Sequence, residues 1–487
     1  MSKSIAELTP KAVWENFYKL TEMPRPSNHE EAARKSIMDW ARKNNIQAEM
    51  DEVGNILLRK PATPGMENRK GVILQGHLDM VPQKNEDKKH NFVTDPIDAY
   101  VDGEWVTADG TTLGADNGIG VAAGMAVLLA TDIPHGPVEV LITATEETGM
   151  DGANGIRPAW VKGDILLNLD SETEGELYVG CAGGIDGKMV FNYTEEAVPA
   201  GSKAYKLAIK GLKGGHSGMD INLGRGNANK LLARYLRAVM EELHLRVASV
   251  EGGNMRNAIP REAFAVVTIP AAHADKFLSS IKEHQAIFQA ELIAKEPTLQ
   301  LIAEETTLPT HVMEAGRQKQ VINAILACPN GAIRMIDSMP DVVETSNNLA
   351  IVQIGKGKAE IYMLMRSSVE TAKMALVQSV KAVFELAGAC EIIFEGEYPG
   401  WKPNPDSAIR KTMIEAYNKL YGKTPEIMAI HAGLECGILG STYPNWDMIS
   451  FGPTICSPHS PDEKVNIASV GKFWEYMKAV LAAIPVK

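Results

Sequence analysis

Cysteine is scarce in this sequence and shows no paired spacing. The 487 residues include five cysteines, an odd number, and their scattered positions contain no C-x-x-C motif. A disulfide framework or a thiolate metal site would require such pairing. Both are therefore disfavoured, and the reducing cytoplasm is the simplest compartment to expect.

Basic residues and long apolar runs are also in short supply. There are 49 Lys and Arg residues against 61 Asp and Glu residues, which gives a net charge of -12 and disfavours nucleic-acid binding. The longest apolar stretch, residues 121–130, is too short to span a bilayer. Residues 1–8 lack the apolar core of a signal peptide. We therefore expect a cytoplasmic protein with no nucleic-acid or membrane partner.

The length and the composition indicate a globular protein with more than one core. Hydrophobic residues make up 45% and charged residues 23% of a chain that is long for a single domain. The patterns of strands and helices change near residue 187 and again after residue 397. We expect an α/β fold with a catalytic domain built from residues 1–186 and 398–487, and a lid domain of residues 187–397 inserted between them.

The inserted segment contains two successive runs with a similar order of elements. The first run is predicted as βαββαβ and the second continues it from a helix. We expect two ferredoxin-like units in tandem that share or abut a sheet edge. The predicted strands are 204–210, 246–250, 263–270 and 299–304, then 348–355, 358–366 and 391–397, and the helices are 227–242, 274–294, 319–327 and 372–386.

Three short apolar segments outside the lid predict buried strands, and each is followed by side chains that can bind a metal ion. Open α/β sheets place their active sites beyond the carboxyl ends of the strands. A carboxylate beside a histidine can also fix the imidazole tautomer for metal binding. The strands 72–74, 138–144 and 164–169 are followed by His77 and Asp79, by Glu146 and Glu147, and by Asp170.

Two further candidates lie in loops rich in glycine or proline. Asp116 precedes a helix of small residues, and helix capping is the alternative role for it. His459 lies in a Pro-His-Ser-Pro segment near the end of the chain. Two imidazoles and three carboxylates suit Zn²⁺ or a similar ion. Five ligands exceed the need of one catalytic ion, so we expect two metals about 3.5–4 Å apart, bridged by Asp116.

Glu146 and Asp79 remain outside this ligand set and are assigned other roles. Glu146 adjoins the ligand Glu147 and is placed to act as the general base. Asp79 is expected to orient His77. Farther upstream, Ser27 and Glu30 form a Ser-x-x-Glu pattern that predicts a capping box for a helix.

These residues carry a resemblance to a known family. The segments Gly-His77-Leu-Asp79-Met-Val-Pro, Gly-Ala-Asp116-Asn-Gly, Glu146-Glu147, Asp170, Gly-Gly-His216-Ser-Gly and Pro-His459-Ser together resemble the di-zinc aminopeptidase, carboxypeptidase and dipeptidase family. The resemblance covers essentially the whole chain. It implies an α/β/α catalytic domain with an inserted lid, and two bound Zn²⁺ ions, with Co²⁺ or Mn²⁺ as alternatives.

The resemblance also implies roles for individual residues. His77 and Asp170 would bind one zinc, Glu147 and His459 the other, and the Asp116–Asn117 peptide bond would be cis. In the lid, His216 resembles the residue that holds the scissile carbonyl or its oxyanion; a histidine in a glycine-rich turn is the alternative. Arg366 resembles the clamp for a substrate carboxylate, against the alternative of a solvated arginine at a strand end. Asn257 and Gly433 are further candidates for substrate contact.

The implied activity is that of a dipeptidase. A zinc-activated water would hydrolyse dipeptides with a free C-terminal carboxylate, including Xaa-His and β-alanyl-histidine. A tripeptidase, a carboxypeptidase or an N-acyl amino acid deacylase of the same fold is the nearest alternative, and a peptide-binding protein without turnover is another. The resemblance suggests a homodimer, although a doubled lid would also permit a monomer.

Overall fold

A computed structural model describes residues 4–487 and divides into two compact units. The first unit contains the chain up to Gly180 together with Pro403–Ala429 and Leu434–Lys487. The second unit contains Cys181–Lys402 and the short segment Ile430–Gly433. The sequence predicted divisions after residues 186 and 397, and it did not predict that 430–433 would join the second unit.

The first part of the chain builds most of the first unit. Glycine or proline lies close to most of its strands, and several strands are largely apolar. The strands are β1 (Gln47–Met50), β2 (Ile56–Lys60), β3 (Val72–His77), β4 (Ala99–Asp102), β5 (Trp105–Ala108), β6 (Val138–Thr143), β7 (Ile165–Asn168) and β8 (Glu176–Cys181). The helices are α1 (Lys11–Thr21), α2 (Glu31–Lys43), α3 (Ala115–Leu129), α4 (Glu146–Gly149) and α5 (Asp151–Gly155).

The middle part of the chain forms the second unit. Its strands are β9 (Gly183–Asn192), β10 (Glu195–Ala197), β11 (Ser202–Lys210), β12 (Gly215–His216), β13 (Arg246–Gly252), β14 (Ala258–Ile259), β15 (Ala263–Pro270), β16 (Gln300–Thr306), β17 (His311–Met313), β18 (Gly331–Ile336), β19 (Met339–Gly355), β20 (Lys358–Ser367) and β21 (Glu391–Tyr398). Its helices are α6 (Ala228–Val239), α7 (Ala274–Leu292), α8 (Ala315–Ala327) and α9 (Glu370–Leu386).

The last part of the chain returns to the first unit. Its elements are β22 (Glu426–Ile430), β23 (Asp447–Ser450), β24 (Ile455–Cys456) and β25 (Lys464–Asn466), with α10 (Ala408–Tyr421), α11 (Glu435–Thr442) and α12 (Ile467–Ala483). The mixed α/β class predicted from the sequence is confirmed by this order of elements.

The central sheet of the first unit has the strand order β1-β2-β6-β3-β7-β23-β8-β22. Strands β6, β3, β7 and β23 run parallel to one another. Strands β3, β6 and β7 are buried along their whole length, which explains their nearly continuous apolar sequences. Because these four strands are parallel, the residues that follow them emerge at the same edge of the sheet.

The second unit contains two ferredoxin-like units, but they are nested and not in tandem. Strands β16-β11-β15-β13 and the pair α6 and α7 form the first, with the order 4-1-3-2 of that motif. The second is formed by strands β21-β9-β20-β19 and the pair α8 and α9. Counted from the β21 edge of the sheet, these strands also have the order 4-1-3-2. Its first strand, β9, precedes the entire first ferredoxin-like unit in the chain, so the tandem arrangement predicted from the sequence is wrong.

Both ferredoxin-like units share one sheet and one core. Strands β13 and β19 pair antiparallel and join the two edges, as the sequence predicted. A continuous cluster of buried side chains runs from Leu232 and Phe277 in the first to Phe384 in the second. Within residues 4–487, no helix is both long and apolar enough to cross a membrane.

Candidate metal centre

Six of the predicted side chains meet at the carboxyl edge of the parallel strands. His77 is the last residue of β3, Glu146 and Glu147 begin α4 after β6, and Asp170 follows β7. The remaining two reach the same place from outside the sheet: Asp116 lies at the start of α3, and His459 lies in the loop between β24 and β25. The strand order of the sheet therefore explains why residues distant in sequence are neighbours.

The first group of ligand-type atoms surrounds His77. Its Nε2 atom lies 3.0 Å from Oδ1 of Asp116 and 3.3 Å from Oδ1 of Asp170. Burial disfavours the charged imidazole of His77, but the carboxylates of Asp170 and Asp116 outweigh burial and raise its pKa. One ligand atom from each of the three residues lies within 4.8 Å of the others.

The second group uses the other oxygen of Asp116. Nε2 of His459 lies 3.2 Å from Oδ2 of Asp116 and 3.0 Å from Oε2 of Glu147. Hydrogen bonds with these two carboxylates raise the pKa of His459 to about 11. Asp116 therefore presents one oxygen to each group, which is the geometry of a bridging carboxylate.

The residues at this edge fit divalent cations. Among the described residues, Oε1 of Glu147 is buried with no hydrogen-bond partner, and Oδ1 of Asp170 has only the 3.3 Å ion-pair contact with Nε2 of His77. Burial, together with the negative charges of Asp116 and Glu147, raises the pKa of Asp170 to about 7. Buried carboxylate oxygens without donors are costly, and cations would compensate them. The mixture of imidazole and carboxylate ligands suits Zn²⁺ and similar ions.

Glu146 lies beside both ligand groups, but it is not one of the residues that share Asp116. Its carboxylate is within 4.8 Å of ligand atoms from His77 and Glu147. Burial raises its pKa well above the ordinary value, and the negative charges of Asp170 and Glu435 act in the same direction. A carboxylate with a raised pKa is suited to proton transfer near neutral pH.

Asp79 holds Glu146 and Glu147 as well as His77. Its carboxylate accepts hydrogen bonds from the N–H of Glu146 (2.9 Å), the N–H of Glu147 (3.2 Å) and Oγ of Ser27 (2.7 Å). Nδ1 of His77 lies 3.4 Å from the carboxylate of Asp79 and 3.1 Å from the backbone oxygen of Asp79. Burial opposes ionisation of Asp79, but these contacts outweigh it and lower the pKa to about 2. Asp79 therefore positions the start of α4 in addition to the histidine.

Two roles considered from the sequence are not observed. Helix α2 begins at Glu31, and its N-cap, Glu30, makes no side-chain capping bond, so the capping-box prediction for Ser27 and Glu30 is wrong. Glu30 instead accepts bonds from the N–H (3.1 Å) and Oγ1 (3.0 Å) of Thr145, next to Glu146. Asp116 does not cap α3, because the N-cap is Gly114. The Asp116–Asn117 bond is cis, as the resemblance implied.

Sequence reasoning also missed a buried arginine under the ligand loops. Arg25 is 1% exposed and donates to the backbone oxygens of Leu78 (2.8 Å), Asp79 (3.3 Å) and Gly114 (2.6 Å). It thereby ties the loop after β3 to the loop before α3. Its only sequence signal is its place in the Pro-Arg-Pro turn.

A buried polar layer lies beneath the ligands and crosses four parallel strands. It begins at Glu435, whose carboxylate accepts from Nε2 of Gln75 (2.6 Å) and Oγ1 of Thr143 (2.8 Å). Oε1 of Gln75 accepts from Asn168 (2.6 Å), and Oδ1 of Asn168 accepts from Oγ of Ser450. Gln75 and Asn168 each lie two residues before a ligand, His77 or Asp170, so this network restrains the strands that carry the ligands.

In the second unit, the backbone determines the tautomer of His216. Nδ1 of His216 accepts from the N–H groups of Gly218 (3.2 Å) and Met219 (3.1 Å). Burial and the positive charge of Arg366 lower its pKa, which favours the neutral ring. A neutral imidazole that accepts at Nδ1 carries its proton at Nε2 and can donate it to an oxygen.

Arg366 is a buried cation and not a solvated strand-end residue. It is 5% exposed, and its Nη1 donates to Oη of Tyr398 at 2.8 Å. The same ring of Tyr398 packs against Gly433, where an added Cβ would lie 3.1 Å from Cε2. Arg366 and Gly433 therefore share one neighbour, whereas Asn257 is exposed and contributes its backbone oxygen to the N–H of Ser217 at 2.8 Å.

His431 is a further residue of the second unit that the sequence did not indicate. Its Nε2 lies 2.7 Å from Oγ of Ser346. Burial and the charge of Arg366 lower its pKa to about 3, so His431 is neutral at ordinary pH. The segment 430–433 thus places a neutral histidine near Arg366.

The chain is similar to known proteins over almost its whole length. Residues 73–483 match a family model described as peptidase family M20/M25/M40. The chain is 49% identical over 483 residues to the cytosol non-specific dipeptidase of Escherichia coli K12, with 99% of each chain covered.

Solved structures resemble the whole chain. The crystal structure of aminoacylhistidine dipeptidase from Vibrio alginolyticus matches with a TM-score of 0.97 and 51% identity, covering 100% of this chain and 99% of that one. Aminopeptidase PepT from Bacillus cereus matches with a TM-score of 0.57 and 15% identity, covering 98% of this chain and 99% of that chain, and shows the shared fold alone.

The packing of Arg25 against Gly114 gives a prediction. Gly114 has φ of +71°, and an added Cβ would lie 2.6 Å from Nη2 of Arg25. Gly114→Ala should therefore carry both backbone strain and overpacking. Gly110→Ala is the control, because Gly110 has φ of +68° but its nearest atoms are 3.5 Å away. Denaturant unfolding should show that Gly114→Ala lowers the free energy of unfolding by about 1–3 kcal/mol more than Gly110→Ala does. Equal decreases in the two variants would contradict the prediction.

Proposed function

The chain belongs to peptidase family M20/M25/M40, and from that premise we propose that it is a zinc-dependent dipeptidase. Its substrates are dipeptides with a free C-terminal carboxylate, including Xaa-His and β-alanyl-histidine. The names and high identities of the E. coli and Vibrio relatives support this assignment. The cytosolic name of the E. coli relative supports a cytoplasmic location.

The observation that carries the proposal is the placing of Glu146 beside two ligand groups that share Asp116. His77 and Asp170 complete one group, and Glu147 and His459 complete the other. A protein that only stored metal ions or bound peptides would not need a further carboxylate at this position. When bound, two divalent cations lower the pKa of a water molecule and polarise a peptide carbonyl.

Glu146 supplies the proton transfers in the proposed reaction. Its carboxylate accepts a proton from the attacking water and returns that proton to the nitrogen of the leaving amine. Its carboxylate lies within 4.8 Å of ligand atoms of His77 and Glu147, one from each ligand group, which places it beside a water held at this centre. Asp79 fixes the base by accepting the N–H of Glu146 at 2.9 Å.

The second unit supplies the groups that we propose to contact the substrate. His216 donates from Nε2 to the carbonyl oxygen or to the oxyanion that develops from it. Arg366 binds the C-terminal carboxylate, because a planar guanidinium matches two carboxylate oxygens. Asn257 and Gly433 remain proposed substrate contacts, and the homodimer remains a prediction.

A substrate panel tests the assignment against its nearest alternatives. We expect faster hydrolysis of dipeptides, Xaa-His among them, than of tripeptides, N-acyl amino acids or longer peptides, measured as kcat/KM. The expectation follows from a fixed carboxylate clamp, which a longer C-terminal segment could not satisfy. A tripeptide or an acyl amino acid cleaved faster than every dipeptide would overturn the proposal in favour of a tripeptidase or a deacylase.

The adjacent residues Glu146 and Glu147 should respond differently to the same substitution. Glu146→Gln should lower kcat by at least about 100-fold, because it removes the base, and should leave two metal ions bound. Glu147→Gln should weaken binding of one ion, because it replaces a ligand. Metal analysis after dialysis, together with kcat, separates the two results. Unchanged turnover in Glu146→Gln would remove Glu146 from its proposed role.

The role of Arg366 can be tested with a substrate that lacks the carboxylate. Arg366→Lys should lower kcat/KM for a dipeptide by about 10–100-fold, since lysine cannot make the paired hydrogen bonds. The same substitution should barely change hydrolysis of the corresponding dipeptide amide. Arg234→Lys is the matched control, because Arg234 makes an exposed bidentate pair with Glu291 in the same unit. An equal loss on the acid and the amide would refute the clamp.

A further inference from the structure

The loop that carries His459 also contains a buried carboxylate that no step of the reaction uses. Glu463 lies between β24 and β25 and is 2% exposed. It accepts hydrogen bonds from four successive backbone N–H groups. Oε2 accepts from Leu113 (2.7 Å) and Gly114 (3.0 Å), and Oε1 accepts from Ala115 (2.8 Å) and Asp116 (3.2 Å).

The other side of the same backbone segment faces Arg25. The guanidinium of Arg25 donates to the backbone oxygen of Gly114 at 2.6 Å. Glu463 therefore accepts the N–H groups of residues 113–116, and Arg25 binds one carbonyl oxygen of the same segment, that of Gly114. The attraction between Arg25 and Glu463 offsets part of the cost of burying both charges.

We propose that Glu463 is a positioning residue that fixes the bridging carboxylate Asp116 relative to His459. Glu463 follows His459 by four residues on the same loop, and it bonds the N–H of Asp116 itself. One side chain thus sets the spacing between the loops that carry two ligands, whose Nε2 and Oδ2 atoms are 3.2 Å apart. The inference rests on the metal centre of the proposed function, but it concerns metal binding and not the choice of substrate.

A carboxylate is required because all four partners are donors. Glutamine has nearly the same shape, but one end of its amide is itself a donor. Glu463→Gln would therefore lose two of the four hydrogen bonds and turn an NH₂ group toward two N–H groups. The start of α3 would shift, and with it the oxygen that Asp116 presents to each ligand group.

Zn²⁺ binding to the metal-free protein tests the proposal directly. Competition with a chromophoric chelator should show that Glu463→Gln weakens both sites by about 10–100-fold, the usual effect of losing a residue that orients a ligand. Both sites should be affected because Asp116 contributes to both. The absorption spectrum of the Co²⁺-loaded variant should also differ from that of the wild type.

Glu139→Gln is the matched control. Glu139 is also buried and accepts two backbone N–H groups, those of Lys162 and Gly163, both at 2.7 Å. It lies near the start of β6, at the opposite end of that strand from Glu146. Glu139→Gln should leave both Zn²⁺ affinities within about twofold of the wild type. Unchanged affinities in Glu463→Gln, or an equal loss in Glu139→Gln, would overturn the proposal.

Hydrogen exchange in the wild-type protein provides a test that needs no variant. If Glu463 positions the segment, the amides of residues 113–116 should be protected in the metal-free protein. Fast exchange there without metal, followed by protection on adding Zn²⁺, would show that the ions order the loop and would overturn the proposal. Neither Zn²⁺ binding nor hydrogen exchange measures hydrolysis. Both results could therefore be interpreted even if the dipeptidase assignment failed.

Discussion

The burial of many carboxylates at one edge of a parallel sheet is the constraint on which the rest of the first unit depends. A carboxylate removed from water is costly unless a donor or a cation compensates it. The chain meets this requirement in two ways. Asp79, Glu30 and Glu463 accept backbone N–H groups of the ligand loops. Asp170 and Glu147 instead keep buried oxygens that accept no backbone N–H group among the described residues, and those oxygens suit metal ions.

The carboxylates that accept backbone N–H groups fix the positions of the carboxylates at the metal centre. Asp79 bonds the peptide groups of Glu146 and Glu147, and Glu463 bonds that of Asp116. The ligands are therefore fixed by hydrogen bonds to their own backbone rather than by packing alone. Loops placed in this way need small residues where charged groups approach closely, which explains Gly114 next to Arg25.

The sequence predicted the residues that end strands better than the residues that support them. His77, Glu147 and Asp170 follow apolar strands, so their convergence follows from the sheet and from the family pattern. Arg25 lies in a Pro-Arg-Pro turn and Glu463 lies between Asp462 and Lys464, and neither pattern predicts burial, which depends on contacts between distant segments. The nested lid was missed for a similar reason, because β9 is rich in glycine and is separated from its partner strands by a complete ferredoxin-like unit.

The charges that act on the histidines differ in sign between the two units, and this difference bears on the proposed substrate. Carboxylates dominate the edge of the first unit, where they raise the pKa of His77 and His459. In the second unit, burial and, to a smaller extent, the positive charge of Arg366 lower the pKa of His216 and of His431, which favours the neutral form of both rings. In the proposed function, a neutral His216 donates without adding a second positive charge, and Arg366 is the group that attracts an anion. The free carboxylate of a dipeptide would supply that anion, whereas an amide or an internal peptide bond would not.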